Sequence, residues 1–280
     1  MAKVSSTQKT TGLNGFQKVR VLGTGAHSTI WQVRDSSNGQ IRALKTVVRN
    51  GHDDEKFFRQ TLNEYNVASQ IDHPNVRKVY KLLRRRRFLR VREMQLLMEF
   101  CPGRSVQEHR PRGLVGICSV FAQTAHALGR VNEHGFVHGD MKPDNIIVDE
   151  RGNVKIIDLG HACRIGTIKE RIQGSPDFIA PEQIRLEPLD ARTDVFNYGA
   201  ALYWALSGKY MPSLMPGGGL TTPVRITPPA EHNPDVPPLL NRLVMDCIQM
   251  RPGDRPQSMR EIIARLAVVL QKELQPTPKE

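Results

Sequence analysis

The apolar pattern of this chain changes character once, and that change limits the folds open to it. Before about residue 110, the runs Val19–Leu22, Thr29–Arg34 and Gln40–Val48 are rich in Val, Ile, Thr and Trp and are separated by Gly, Ser and Asn. Such runs predict β-strands. One helix interrupts them, opening at Asp53-Asp54, with Phe58, Leu62, Tyr65 and Ala68 at three- and four-residue steps and Pro74 as its end. Two more strands, near Val76–Leu83 and Glu93–Phe100, flank an arginine-rich connection. From there the step becomes helical: Leu114, Cys118, Phe121, Ala125, Leu128 and Val131 make one apolar stripe that stops at Gly135. Two short β-like runs follow, Asn145–Val148 and Val154–Ile157, joined by the turn Asp149–Asn153. A buried helix over Val195–Leu206, a Gly/Pro-rich loop from Met211 to Pro238 and two closing helices complete the chain. A β-rich part followed by a helical part is an α+β arrangement. There is no internal repeat and no linker long enough to separate independent domains.

With 280 residues, 39% of them apolar, the chain can bury one large core or two modest lobes. No apolar stretch approaches the roughly 18 residues that suggest a membrane span, and the polar start, Met1 to Asn14, lacks a secretory h-region. Cys101, Cys118, Cys163 and Cys247 form no C-x-x-C pair, which argues against a disulfide framework or a zinc site. The expectation is a soluble cytoplasmic protein with no transmembrane segment. Lys and Arg number 40 against 28 Asp and Glu, a net charge of +12. That excess favours anionic partners without choosing among nucleotides, acidic proteins, nucleic acid or a membrane surface.

Chemistry concentrates in His138-Gly139-Asp140-Met141-Lys142-Pro143-Asp144-Asn145 and, thirteen residues after Asn145, in Asp158-Leu159-Gly160. Either Asp alone could sit in an ordinary solvated turn. Together at this spacing, with Lys45 in Ala43-Leu44-Lys45, they supply what phosphoryl transfer needs: a cation, metal-binding oxygens and a carboxylate near the acceptor. In kind and order these segments resemble those of eukaryotic-type Ser/Thr protein kinases, the compact bacterial members among them, over about Phe16 to Leu270. The first segment matches the catalytic loop H-R-D-x-x-x-x-N except at Gly139, and the second matches D-F-G with Leu for Phe. Leu22-Gly23-Thr24-Gly25-Ala26-His27-Ser28-Thr29-Ile30 is similar to the glycine-rich loop G-x-G-x-x-G-x-V, with Ser28 for the third glycine and Ile30 for Val. Taken alone, that Gly-x-Gly turn would be an ordinary hairpin.

The resemblance implies a bilobal kinase fold: a leader over 1–13, an N-lobe over 14–100, a C-lobe over 101–272 and a tail over 273–280. It implies ATP and Mg²⁺ as cofactors and Ser or Thr of a protein as acceptor. Lys45 would bind the α- and β-phosphates and pair with Glu64, which lies ten residues before Pro74. Asp140 would be the catalytic base, Lys142 would stand near the γ-phosphate, and Asn145 and Asp158 would hold the metal. Ile30, Ala43 and Ile147 would sandwich the adenine, Met98 would border its pocket, and the backbone of Glu99 and Cys101 would hydrogen-bond it. Gly174–Glu182, Asp194–Gly199 and Arg251–Pro256 resemble the A-P-E segment, the start of the buried helix and the late R-P-x-x-R-P motif. In that reading Asp194 steadies the catalytic loop and Arg255 pairs with Glu182. These three segments are absent from kinase-like enzymes that act on small molecules, so they favour a protein substrate. A scaffold without transfer activity is the competing class, opposed by the intact Lys45, Asp140, Asn145 and Asp158.

Two features depart from the pattern. The arginine that in many kinases binds a phosphate on the activation loop is Gly139 here, and Arg171 stands where a Thr acceptor is common. Activity independent of activation-loop phosphorylation is therefore expected, with Thr167 and Ser175 as the remaining acceptors to check. Arg84 to Arg87 fall on a hairpin, where charge blunts edge pairing. They could equally dock an acidic partner, nucleic acid or an anionic membrane.

Overall fold

The computed structural model describes residues 15–25, 27–49, 54–87, 90–215 and 225–272. It forms two compact units, Met1–Tyr65 with Lys78–Phe100, and Asn66–Arg77 with Cys101–Glu280. The leader, the tail, Asp53 and Ala26 lie outside the described residues.

In the first unit β1 (Phe16–Thr24), β2 (Ser28–Asp35), β3 (Ile41–Val48), β4 (Val79–Arg87) and β5 (Arg90–Glu99) form one antiparallel sheet, ordered β1-β2-β3-β5-β4. Strand side chains alternate between faces, so β3 serves two clusters. Leu44 joins Val33 and Leu97 under Phe16 and Trp31, while Ala43 joins Leu96 and Met98 under Ile30, Tyr65, Val79 and Leu82. Lys45 shares the face of Ala43. The helix α1 (Glu55–Ala68) covers Val47 and Met94 with Phe58 and Leu62. It ends six residues short of Pro74, because the Ser69 hydroxyl and the Gln70 amide both donate to Asn66 O and close the last turn. The arginine run is strand rather than connection: Arg84 faces Met94 and Arg85 faces Glu93 across β4 and β5. β4 is an edge strand, where such charge discourages pairing with other chains.

Asn66–Arg77 belongs with the second unit, unlike the 14–100 lobe expected from the sequence. Val76 bridges to Ile156, the Arg77 N–H donates to Ile156 O (3.0 Å), and the Asn75 amide donates to Val154 O (2.8 Å). This unit is built around α2 (Gly113–Glu133), which packs on α4 (Ala191–Ser207) and α7 (Met259–Lys272), while α5 (Pro229–His232) and α6 (Pro238–Cys247) close on α4. α2 is long and apolar enough, by length and composition, to cross a membrane, contrary to the expectation that no segment would be. Half of that window is buried in the fold, with Cys118, Phe121, Ala125, Leu128 and Val131 fully covered. Its hydrophobicity is that of a core helix. α4 approaches α6 so closely that a Cβ on Gly199 would meet Cys247 Cβ at 2.5 Å, so only glycine fits there. The short strands β6 (Arg104–Ser105), β8 (Ile146–Val148) and β9 (Val154–Ile156) form a small sheet, and β7 (Phe136–Val137) pairs with β10 (Cys163–Arg164).

Candidate active site

The glycine-rich segment is the β1–β2 hairpin, with Gly23 opposite Ile30 and Thr24 opposite Thr29. The Gly25 N–H closes the turn on Ser28 O (2.8 Å). Ser28 replaces the third glycine without strain: among described residues other than glycine, only Asp158 and Leu186 have positive φ. His27 turns toward α1, with Nδ1 3.0 Å from Asp54 Oδ1 and its ring stacked on Phe57. Lys45 Nζ lies 2.8 Å from Glu64 Oε2, and the two side chains are only 15% and 2% exposed. Ile30, Ala43 and Met98 meet in one apolar cluster. The Glu99 N–H is spent within the sheet on Lys78 O (2.8 Å). Leu22 and Thr24 are exposed, and Thr29 is half-buried on β2. Cys101 and Ile147 belong to the second unit, both half-buried, Ile147 on β8 opposite Lys155.

In the second unit the buried segment from His138 to Asn145 is fixed from several sides. Asp194 at the start of α4, fully covered, accepts from the N–H groups of His138 and Gly139 (both 2.9 Å) and from the Asn132 amide (2.8 Å). Burial pushes its carboxyl up, while His138 and these donors pull the other way. His138 is a structural residue: its Nδ1 accepts from the Asp140 N–H (3.3 Å) and its Nε2 faces Ile157 O (3.3 Å). Asp140 Oδ1 accepts from the Ser175 N–H (2.8 Å), and Oδ2 lies 3.7 Å from Lys142 Nζ, which donates to Ser175 Oγ (2.7 Å). The Asn145 amide donates to Asp140 O (2.8 Å), and Asn145 O accepts from Ile157 N (2.9 Å), bringing the Asp158 segment alongside. Asp158 has φ 64° and its carboxylate caps a 3₁₀ turn by accepting from Gly160 N (3.2 Å). A non-glycine residue held at positive φ beside polar groups is strain of the kind functional sites store. Burial also holds the His161 imidazole below its usual range, against the pull of Asp140 and Asp158.

A sequence model described as the protein kinase domain matches residues 16–265. The chain belongs to the protein kinase domain family. It is 27% identical over 273 residues to a probable serine/threonine-protein kinase of Clostridium acetobutylicum, covering 91% of this chain and 40% of that protein. It is 27% identical over 275 residues to serine/threonine-protein kinase PknA of Mycobacterium tuberculosis, covering 95% of this chain and 63% of that one. The cAMP-dependent protein kinase type 3 of Saccharomyces cerevisiae is 25% identical over 261 residues, 91% of this chain and 64% of its own length. The chain thus spans less than two thirds of the length of each of these relatives.

The A-P-E segment of this kinase domain is anchored as its motifs imply. Arg255 makes a two-pronged pair with Glu182 (2.7 and 2.9 Å), both nearly fully buried, and Thr193 Oγ1 donates to Glu182 Oε1 (2.9 Å). Gln183, beside Glu182 on the short helix α3 (Pro181–Ile184), drew no attention in the sequence, yet it bonds to the catalytic loop. Ser175, read there as a phosphorylation candidate, is a partner of both Asp140 and Lys142. No signal short of the structure marks either role, since Gln and Ser are commonest on surfaces. No cluster of three His, Cys, Asp or Glu able to hold a metal exists among the described residues. Asp158 and Asn145 instead offer two hard oxygen donors, which suits Mg²⁺, an ion that usually takes one or two protein ligands and completes its shell with phosphates and water.

Proposed function

We propose that this kinase domain transfers the γ-phosphoryl group of ATP to Ser or Thr of a protein, and that it does so without a phosphate on its own activation segment. The observation that carries the first part is the fixed carboxylate of Asp140, held by Ser175 N and flanked by the Lys142 ammonium. Oδ2 accepts the hydrogen bond of the acceptor hydroxyl and orients it for attack. Lys142 supplies positive charge beside that oxygen, and Lys45, kept in place by Glu64, supplies it to the nucleotide phosphates. Asn145 and Asp158 hold Mg²⁺, which neutralises charge on the phosphates when bound.

Support for the second part comes from residue 139 and from Ser175. Glycine at 139 offers no guanidinium to a phosphate. Ser175 Oγ, the atom that a phosphate would modify, already accepts from the Lys142 ammonium (2.7 Å), so a phosphate there would draw Lys142 away from the Asp140 carboxylate rather than complete the site. Incubation with Mg²⁺ and labelled ATP, beside Asp140→Asn and Asp158→Ala, tests the activity. Label on Ser or Thr that disappears in both variants supports it; nucleotide binding without transfer in the unaltered chain would favour a scaffold. A cytoplasmic location is part of the same proposal, in keeping with four free thiols, and cell fractionation checks it.

A partner at the arginine hairpin is favoured by one further observation. Arg49, Arg59, Arg84 and Arg90 line an open cavity of about 480 Å³ floored by Phe58 and Met94, and the cavity's Glu55 is taken up by Arg49. We propose an acidic protein segment as its occupant. Arg84→Ser with Arg90→Ser should weaken binding of a Glu-rich peptide, steeply with salt, and spare activity on a short acceptor peptide. Unchanged binding would leave the hairpin as a charged sheet edge.

A further inference from the structure

Resting on the reading that this kinase needs no activation-segment phosphate, we propose that Gln183 is the positioning residue that stands in for it. It locks residues 173–175 to the catalytic loop through neutral hydrogen bonds.

The Gln183 side chain is buried at 4% exposure, and all four of its hydrogen-bonding positions are filled. Nε2 donates to Gly139 O (2.7 Å) in the catalytic loop and to Gln173 O (3.1 Å) in the activation segment. Oε1 accepts from Ala180 N (3.0 Å) and from the Asn197 amide (2.9 Å) of the buried helix α4. Both partners of Nε2 are carbonyls, which only accept, and both partners of Oε1 are N–H donors. The amide therefore has one orientation, and neither a carboxylate nor an aliphatic chain could replace it.

Gln183 also lies against two glycines of left-handed backbone. Gly139 and Gly174 both have positive φ, 71° and 132°. A Cβ on Gly139 would lie 3.9 Å from Gln183 Nε2, and a Cβ on Gly174 would lie 3.2 Å from it. The amide occupies space toward which side chains at both positions would grow. Where a phosphate switch needs a charged side chain at 139 reaching toward the segment, this chain has an amide reaching back from α3. Two residues beyond Gln173, Ser175 donates its N–H to Asp140 and accepts from Lys142. Fixing Gln173 O thus fixes the groups that aim the catalytic carboxylate. The link carries no charge, and its Gln183 and Gly139 ends are buried, so it is permanent rather than switched.

The test uses the whole chain, shown by intact mass to carry no phosphate. Gln183→Met keeps the volume and removes every hydrogen bond. Two carbonyls losing their donor, the buried one of Gly139 and the half-buried one of Gln173, should cut kcat on a protein acceptor roughly tenfold to a hundredfold. Nucleotide Kd should stay within about twofold, and amide exchange should rise at residues 172–180 and 138–140. Gln183→Glu, which keeps an acceptor but puts an anion against the two carbonyls, should lose at least as much. A wild-type kcat with only a lowered Tm would mean that Gln183 serves the fold alone, and the inference would be wrong. If Gln183→Met does not fold, Gln183→Glu must show that kinetic pattern in its place, or the inference fails. Inactivity of the phosphate-free wild-type chain would remove the underlying reading and the inference with it. An active wild-type chain with equally active variants would remove the inference alone.

Discussion

Lys45 in the first unit and Asp140 in the second are held in opposite ways. Lys45 is a long, flexible cation steered by a charge, Glu64, on a helix that packs on the sheet through Phe58 and Leu62. Asp140 is a short carboxylate whose hydrogen bond comes from a neutral donor, the Ser175 N–H at 2.8 Å, with the Lys142 ammonium farther off at 3.7 Å, its backbone tied to His138 and Asn145 and its loop to Asp194 and Gln183. A charge pair depends on two groups, and removing one leaves the other buried and uncompensated. A hydrogen-bond network spreads the same task over many groups, each contributing modestly. The first arrangement is easily broken by a single change; the second should yield only where a change reaches a shared member.

The largest expected effect is on chemistry itself. Asp140→Asn should lower kcat about a hundredfold to ten-thousandfold while the Tm stays close to wild type, because the Ser175 N–H still finds an oxygen. Retained activity would remove Asp140 from the reaction. Next is the Glu182–Arg255 pair, a buried charge pair of the second unit. Arg255→Ala should cost about 3–5 kcal/mol of stability by stranding a buried carboxylate. Glu182→Met with Arg255→Met should cost clearly less in chemical denaturation, and equal losses would contradict the account of stranded charge. Glu64→Gln, in the first unit, should reduce transfer roughly tenfold to a hundredfold through a misplaced Lys45. Its Tm should fall by less than that of Arg255→Ala, because Gln still offers an oxygen to Lys45, which is 15% exposed; an equal drop would make the pair structural.

The smallest effect concerns Asp190, the N-cap of α4. Burial pushes its carboxyl up, but the hydrogen bonds and charge of Arg192 outweigh that and leave it below the usual range. A lowered folded value means that the stability it adds is present above the unfolded pKa of about 3.9 and is lost as pH falls through the folded one. Asp190→Asn keeps the cap and removes the charge, so it should cost about 0.5–1 kcal/mol at neutral pH. The difference from wild type should vanish in acid; a difference independent of pH would mean that the charge is idle.

The sequence announces the catalytic loop because the chemistry needs particular side chains at fixed spacing, so Asp140, Asn145 and Asp158 are visible before any fold is known. Strands and helices follow from apolar periodicity, and so the change near Leu114 separates the β-rich sheet from the helical unit. What periodicity cannot reveal is where polar side chains end a helix, as Ser69 and Gln70 do at α1, or how far a charged strand continues, as β4 does to Arg87. Nor can it reveal which carbonyls a buried amide will meet. Gly139 could be read as the loss of an arginine. That its backbone sits at positive φ with Gln183 beside it depends on contacts across 44 residues of sequence.

In the proposed function the active arrangement of this kinase is built in rather than switched on. Progress curves of acceptor phosphorylation, begun with protein that carries no phosphate, test it most directly. The account predicts a linear rise from the first time point, unchanged by preincubation with Mg²⁺ and ATP. A lag that preincubation abolishes, in step with phosphate appearing on Thr167 or Ser175, would contradict it.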